Sequence, residues 1–143
     1  MHTRRDDLQA MRQRFAQAPF VAHLGIQLLA LEPGICLTEL VIAPWMLQQA
    51  GIVHAGVQTT LADHTAGAAA YTTAPPGHTI VTADIQMRLL RPARCARLRC
   101  RAEVIRPGRQ ASYVEASVYA LDGEREVLVA RAGAGMAVLS EPA

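Results

Sequence analysis

The sequence predicts a two-layer α+β domain in which an antiparallel sheet wraps one long central helix. Three observations predict it. Beyond residue 78, four runs alternate apolar and polar residues with period two and are separated by turn residues, the pattern of antiparallel strands with one buried face. Before them, Gly51 to Ala74 (GIVHAGVQTTLADHTAGAAAYTTA) reads as a single helix of unusually small residues behind a glycine-spaced turn. A hairpin precedes that stretch. A lone apolar helix and an antiparallel sheet must bury one another, and 143 residues suit one domain, 1–143, with a sizeable core.

Taken in order, Thr3 to Phe15 places Leu8, Met11 and Phe15 on one side of a short amphipathic helix, the main part of an N-terminal helical region over residues 1–18, and Pro19 ends it. His23-Leu24-Gly25-Ile26 leads into a strand over Ile26 to Leu31. Glu32-Pro33-Gly34 is a turn with the residues a turn needs. Ile35 to Ala43 returns as a second strand with Cys36, Thr38 and Leu40 on one face. Pro44 stops it, and Trp45 to Gln49 bridges into the central helix, which Pro75-Pro76-Gly77 closes. Strands then follow over Thr79–Leu90, Arg94–Ile105, Gln110–Leu121 and Glu126–Leu139. In the first of these Val81, Ala83, Ile85, Met87 and Leu89 oppose Thr82, Asp84, Gln86 and Arg88.

Half the residues are hydrophobic and under a fifth are charged, which excludes a disordered chain. No apolar run reaches the ~18–20 residues of a membrane span, and the charged N-terminus lacks the apolar centre of a signal peptide. The expectation is a cytoplasmic protein that does not enter a membrane. Cys36, Cys95 and Cys100 have no metal-type spacing, so they read as reduced, structural thiols. Every basic residue is an arginine, and eight of them fall between Arg88 and Arg109. Arg97, Arg99 and Arg101 share the solvent side of one strand, with Glu103 and Glu115 available as partners. Few aromatics interleave with the cluster, which argues against nucleic acid as a partner. Arg91 and Arg109 instead sit at strand ends, where a loop can meet a phosphate.

The chemistry concentrates in the central helix. Helical spacing puts Thr60, Asp63, Gly67 and Ala70 on one face, with Val57, Leu61 and Ala68 opposite for the core. A carboxylate in so apolar a stretch is costly unless something binds it or pairs with it. Asp63 is either hydrogen-bonded to a buried neighbour or is a functional acid. His54-Ala55-Gly56 stands where the helix begins, and a helix start offers unpaired N–H groups at the positive end of the dipole. Such donors polarise a carbonyl and hold an oxyanion, while Asp63 attacks or activates water. Asp63 lies eight residues beyond Ala55, about 12 Å along a helix. Two groups that each reach within roughly 3 Å of one carbonyl cannot be more than about 7 Å apart. If the chemistry is real, Ala55 of one subunit must therefore meet Asp63 of another, and the protein is an oligomer.

Gln48-x-x-Gly51-x-x-His54-Ala55-Gly56, Leu61-Ala62-Asp63 with Gly67, Val81-Thr82-x-Asp84, Leu89-x-Arg91-Pro92-Ala93 and Gly108-Arg109 occur in that order. The set, from about Leu24 to Leu139, resembles the hotdog-fold acyl-CoA thioesterases of the phenylacetate-degradation (PaaI) type. The resemblance implies a hotdog fold, a homodimer with joined sheets, often paired into a homotetramer, and active sites at the dimer interface. It implies that Asp63 is the catalytic carboxylate and that Ala55 supplies the polarising N–H. Gln48 stands where an asparagine usually orients the thioester, and Thr82 matches a hydroxyl residue that holds water or the carboxylate. Ala55 replaces the glycine of many members, which keeps the N–H. The function implied is hydrolysis of an acyl-CoA thioester to free acid and CoA, with no metal or cofactor. His54 and Gly56 would line the substrate, and Arg91 and Arg109 would meet its phosphates.

Other readings stand beside this one. His54 is either a base or a residue that fixes the turn. His64 lies about 100° round the helix from Asp63, which disfavours a dyad, and no spacing points to a metal site. Asp84 reads as a structural hydrogen-bonding group; Tyr71 and Met46 read as core or acyl-pocket residues. The alternative function is a non-catalytic acyl-CoA-binding hotdog protein, a sensor or partner subunit. An enoyl-CoA hydratase would need a His–Asp pair that the spacing does not supply.

Overall fold

The computed structural model describes residues 8–143. Of the N-terminal helix expected over Thr3–Phe15, positions 3–7 lie outside the described residues, and the remainder is α1 (Leu8–Gln17), which buries Met11 and Phe15. Pro19 does more than end it. Pro19 opens a second short helix, α2 (Pro19–Leu24), because a proline at the first helical position lacks only an N–H that has no partner there anyway. Gly25 then terminates α2 in the left-handed region, at φ 83°.

Six strands form one sheet: β1 (Gln27–Glu32), β2 (Ile35–Val41), β3 (His78–Leu89), β4 (Arg97–Arg106), β5 (Ala111–Asp122) and β6 (Arg125–Ser140). Their order is β1-β2-β4-β5-β6-β3, with every neighbour antiparallel. The central helix α3 (Ala55–Tyr71) packs across all six strands, the wrap expected from the sequence. Small side chains make this close approach possible. Ala62, Ala66, Ala69 and Ala70 are buried beside Leu61 against the apolar faces of β4 and β5, Leu98, Cys100, Ala102, Val114, Ala116 and Val118. A polar contact between helix and β2 is satisfied, since Thr38 and Thr65 share a hydroxyl hydrogen bond of 2.7 Å. Burial pushes the Cys36 and Cys100 thiols up to about 12, which makes them inert.

The helix is bounded within the expected 51–74 stretch. Gly51 (φ 75°) turns the chain, and His54 caps the start. At the other end, the Thr72 hydroxyl donates to the Ala69 carbonyl and accepts the Gly34 N–H, both at 2.7 Å. The β1–β2 turn is thereby tied to the end of the helix.

Two face assignments need correction. The buried stripe of α3 is Gln58, Leu61, Ala62, Thr65, Ala66, Ala69 and Ala70; Val57 and Ala68, half-buried, pack against the core as expected, but Ala70 is in the core rather than beside Asp63. A helix made of small residues on every side has almost no apolar contrast for periodicity to detect. In β3, the register shifts between Thr82 and Asp84. This bulge leaves Thr82 and Ile85 on the inner side and turns Asp84 outward over Gly135, whose N–H it accepts at 3.3 Å. Thr82 and Asp84 therefore do not share a face.

The arginine stripe is paired, at Arg101 through Glu103 as expected and otherwise through acids not anticipated from the sequence. Glu39 on β2 receives Arg97 at 2.7 Å and Arg99 at 2.9 Å. Arg99 also meets Glu126 at 2.6 Å, and Arg101 meets Glu103 at 3.0 Å. Glu115 pairs with Arg131 instead. β2 lies against β4 with Glu39 directly opposite Arg99, an adjacency that only the sheet order reveals.

Candidate active site

The start of α3 is built by a clamp. Val53 pairs with Leu47 in an isolated bridge, its N–H reaches the Ala93 carbonyl at 2.9 Å, and the His54 N–H reaches Met46 at 2.9 Å. The segment is thus held on both sides and delivers His54 at the N-cap in an extended conformation (φ −58°, ψ 137°). His54 Nδ1 then accepts the Gly56 N–H at 2.8 Å, and its carbonyl accepts from Val57 at 3.0 Å and from Gln58 at 3.3 Å. Among the described residues, only Ala55 of this first turn keeps a backbone N–H without a partner. His54 takes the turn-fixing role. Gly56, expected to face substrate, has already committed its N–H.

That free N–H opens on a cleft of about 520 Å³ lined by Gln48, His54, Ala55, Gln58, Leu90 and Arg91 among others. Gln48 bends back within its own turn, where its side-chain oxygen accepts the Ala50 N–H. Arg91 is exposed at the cleft wall; its backbone N–H donates to the Val129 carbonyl at 3.3 Å, while its guanidinium makes no ion pair or hydrogen bond among the described residues. Arg109 is elsewhere. It lines a groove at the β4–β5 end with Arg106, Gly108 and Tyr113, so one chain does not bring the two arginines together.

Asp63 is two turns further along α3 and half-buried. Thr82 Oγ1 donates to its Oδ1 at 2.7 Å, which holds one carboxylate oxygen and leaves the other for chemistry. None of the ion pairs among the described residues includes Asp63. Two hollows flank it. One, about 250 Å³, runs under α1 between Phe15, His64, Tyr71 and Ile80; the other, about 220 Å³, is bordered by Phe20, Thr60 and Ile85. Neither shares a lining residue with the Ala55 cleft. A continuous helix of eight residues, about 12 Å, separates the free amide from the acid.

His64 borders both hollows yet forms no hydrogen bond to Asp63 among the described residues. Its ring packs on Phe15 with centroids 4.4 Å apart. Burial lowers its pKa and the Asp63 charge opposes that shift, so the ring is neutral near pH 7. Among the described residues, no group of three His, Cys, Asp or Glu side chains is placed to hold a metal ion. Met46 is in the core, while Tyr71 lines the larger hollow and receives Arg14 at 3.2 Å. The residue that sequence reasoning overlooked is Gln58. It sits three places after Ala55, and its polarity within a buried stripe was the available signal.

Residues 50–127 match the family model described as Thioesterase superfamily. Among solved structures, the chain is similar to a thioesterase family protein from Silicibacter pomeroyi, with 31% identity over 93% of this chain and 98% of that one, at a TM-score of 0.89. It is similar to a thioesterase from Haemophilus influenzae, with 25% identity over 93% and 90% of the two chains, at a TM-score of 0.82. It shares its fold with the PaaI protein of the phenylacetic acid degradation operon of E. coli, with 18% identity over 98% of each chain and a TM-score of 0.86. No curated protein matches. No helix among the described residues is long and apolar enough to cross a membrane.

Proposed function

This chain belongs to the thioesterase superfamily, and on that premise we propose that it hydrolyses an acyl-CoA thioester to a free acid and CoA, as a PaaI-type hotdog enzyme without metal or cofactor. The observation that carries the reading is the Thr82–Asp63 hydrogen bond of 2.7 Å. It orients a carboxylate that has no cationic partner among the described residues and borders hollows able to receive an acyl group. In this reading the free oxygen of Asp63 either takes a proton from water as that water attacks the thioester carbon, or attacks the carbon itself to give an anhydride that water then hydrolyses to the free acid and regenerated Asp63. The Ala55 N–H takes the developing oxyanion, the C–S bond breaks, and the thiolate leaves with a proton. Gln48 and Thr82 orient the reacting groups, His54 and Gly56 contact the substrate, and Arg91 and Arg109 meet the phosphates of CoA.

The acid and the amide belong to different subunits of a homodimer. Two features support this. The hollows and the cleft have no lining residue in common, and β3 ends the sheet as a 12-residue strand with Val81 and Leu89 exposed. A long apolar edge of this kind is a template for another strand. If β3 pairs antiparallel with its own copy about an axis near Gln86, Thr82 faces Leu90 of the partner subunit. Leu90 borders the Ala55 cleft, so this register would join the two half-sites. Assembly of two such dimers gives the tetramer, and the expected compartment is the cytoplasm.

The test is release of free CoA from a panel of acyl-CoA thioesters by the wild type and by Asp63→Asn. Turnover by the wild type and its loss in a folded Asp63→Asn protein are expected. Binding without turnover by the wild type would favour the sensor reading, and wild-type rates in Asp63→Asn would remove Asp63 from the mechanism.

A further inference from the structure

Gln58 occupies a position in the buried stripe of α3 that a leucine would fill without complication, and it is only 3% exposed. Its Nε2 donates to the Val53 carbonyl at 3.2 Å, which fixes the orientation of the amide. The carbonyl end is then left over: Oε1 is buried and has no hydrogen-bond partner among the described residues. Buried acceptors are nearly always paired, so this oxygen calls for a donor. The same residue lines the Ala55 cleft. One turn of helix thus carries a buried donor-seeking oxygen and, three positions earlier, the unpartnered Ala55 N–H. Side chains three apart on a helix are neighbours, roughly 5–6 Å between Cβ atoms, and the Gln58 side chain leans toward the N-terminus, as helical side chains do.

We infer that Gln58 recognises the thiol arm of the substrate: its Oε1 accepts the N–H of an amide two methylenes beyond the thioester sulfur, while the Ala55 N–H holds the thioester oxygen. In such an arm one carbon, the sulfur and two methylenes separate carbonyl oxygen from amide nitrogen, a span comparable to the ~5.4 Å pitch of the single helical turn that carries Ala55 and Gln58. Coenzyme A and other pantetheine-type thiols carry that amide; simple alkyl thiols do not. Gln58 is therefore a specificity-determining residue for the leaving group rather than for the acyl group. The inference rests on the hydrolase reading above, but its test separates the two.

The probes are one acyl group, chosen as the best substrate from the CoA panel, carried on N-acetylcysteamine and on pentanethiol, which has a similar length and no amide. Wild type and Gln58→Leu are compared on both, with Gln58→Met as a second variant of nearly native volume should the first fail to fold. In the variants kcat/KM for the N-acetylcysteamine thioester falls about tenfold, the value of one hydrogen bond, whereas the pentyl thioester is unaffected. An equal fall on both probes would show that Gln58 merely supports the fold and would overturn the assignment. Affinity for a CoA thioester, measured by calorimetry, decides the point independently of turnover. A tenfold weaker Kd in a variant sustains the role of Gln58 even if the wild type hydrolyses nothing, while unchanged affinity, or no binding by the wild type, removes it.

Discussion

Thr82 reaches Asp63 across 19 positions of sequence, its Oγ1 donating to Oδ1 at 2.7 Å, and it can do so because β3 slips by one residue between Thr82 and Asp84. Without that bulge the threonine would follow Asp84 to the outer face. Removing the donor by Thr82→Val should lower kcat by roughly 10- to 100-fold, the range for a hydrogen bond to a charged group, with KM little changed. Thr82→Ser should recover most of the rate. Steady-state kinetics on one acyl-CoA substrate checks both, and a Thr82→Val enzyme with normal kcat would leave the contact structural.

Ala55→Pro offers a clean removal of the proposed oxyanion donor. Proline is well accepted at the first position of a helix, and the extended His54 backbone (φ −58°, ψ 137°) is what a residue before proline needs. The fold should persist while kcat falls about 10²- to 10³-fold. If donor and acid come from different chains, as proposed, mixing unfolded Ala55→Pro and Asp63→Asn proteins and refolding them together should restore activity to well above either parent. One site in each mixed dimer is then intact. Additive residual rates would place both groups in one chain.

His64 makes stability depend on pH. Its folded pKa is lowered from 6.5, chiefly by burial, so the unfolded chain takes up a proton more readily than the folded one. Stability from this residue is complete above about pH 6.5 and declines as pH falls below it toward the lowered folded value. Urea midpoints of wild type and His64→Phe should therefore converge or cross between pH 8 and pH 5, the wild type losing more. Parallel curves would show that the imidazole charge is not coupled to folding.

Two glycines should respond differently to alanine. A Cβ on Gly108 would run into the backbone carbonyl of Ala111, which the β4–β5 turn cannot move aside cheaply. A Cβ on Gly133 would meet the hydroxyl of Tyr113 at 2.5 Å, the far end of an exposed side chain that can swing away. Gly108→Ala should cost about 1–3 kcal/mol and Gly133→Ala less, roughly 0.5 kcal/mol. Melting temperatures in the reverse order would contradict this packing.

The sequence by itself determined the succession of hairpin, small-residue helix and four strands, the start of α3 at His54-Ala55-Gly56, and the setting of Asp63 in an apolar stretch of the helix. Those features depend on local periodicity and on residues within a turn of one another, so they are written in consecutive positions. Only the tertiary structure decided which face of α3 is buried, since small residues all round give no contrast. It alone revealed the bulge that turns Thr82 inward, because regular alternation assumes an unbroken pleat. It also paired Glu39 with Arg97 and Arg99 and exposed the unpaired oxygen of Gln58. These relationships depend on which strands become neighbours and which donors run out, and a chain settles both only when distant segments pack together.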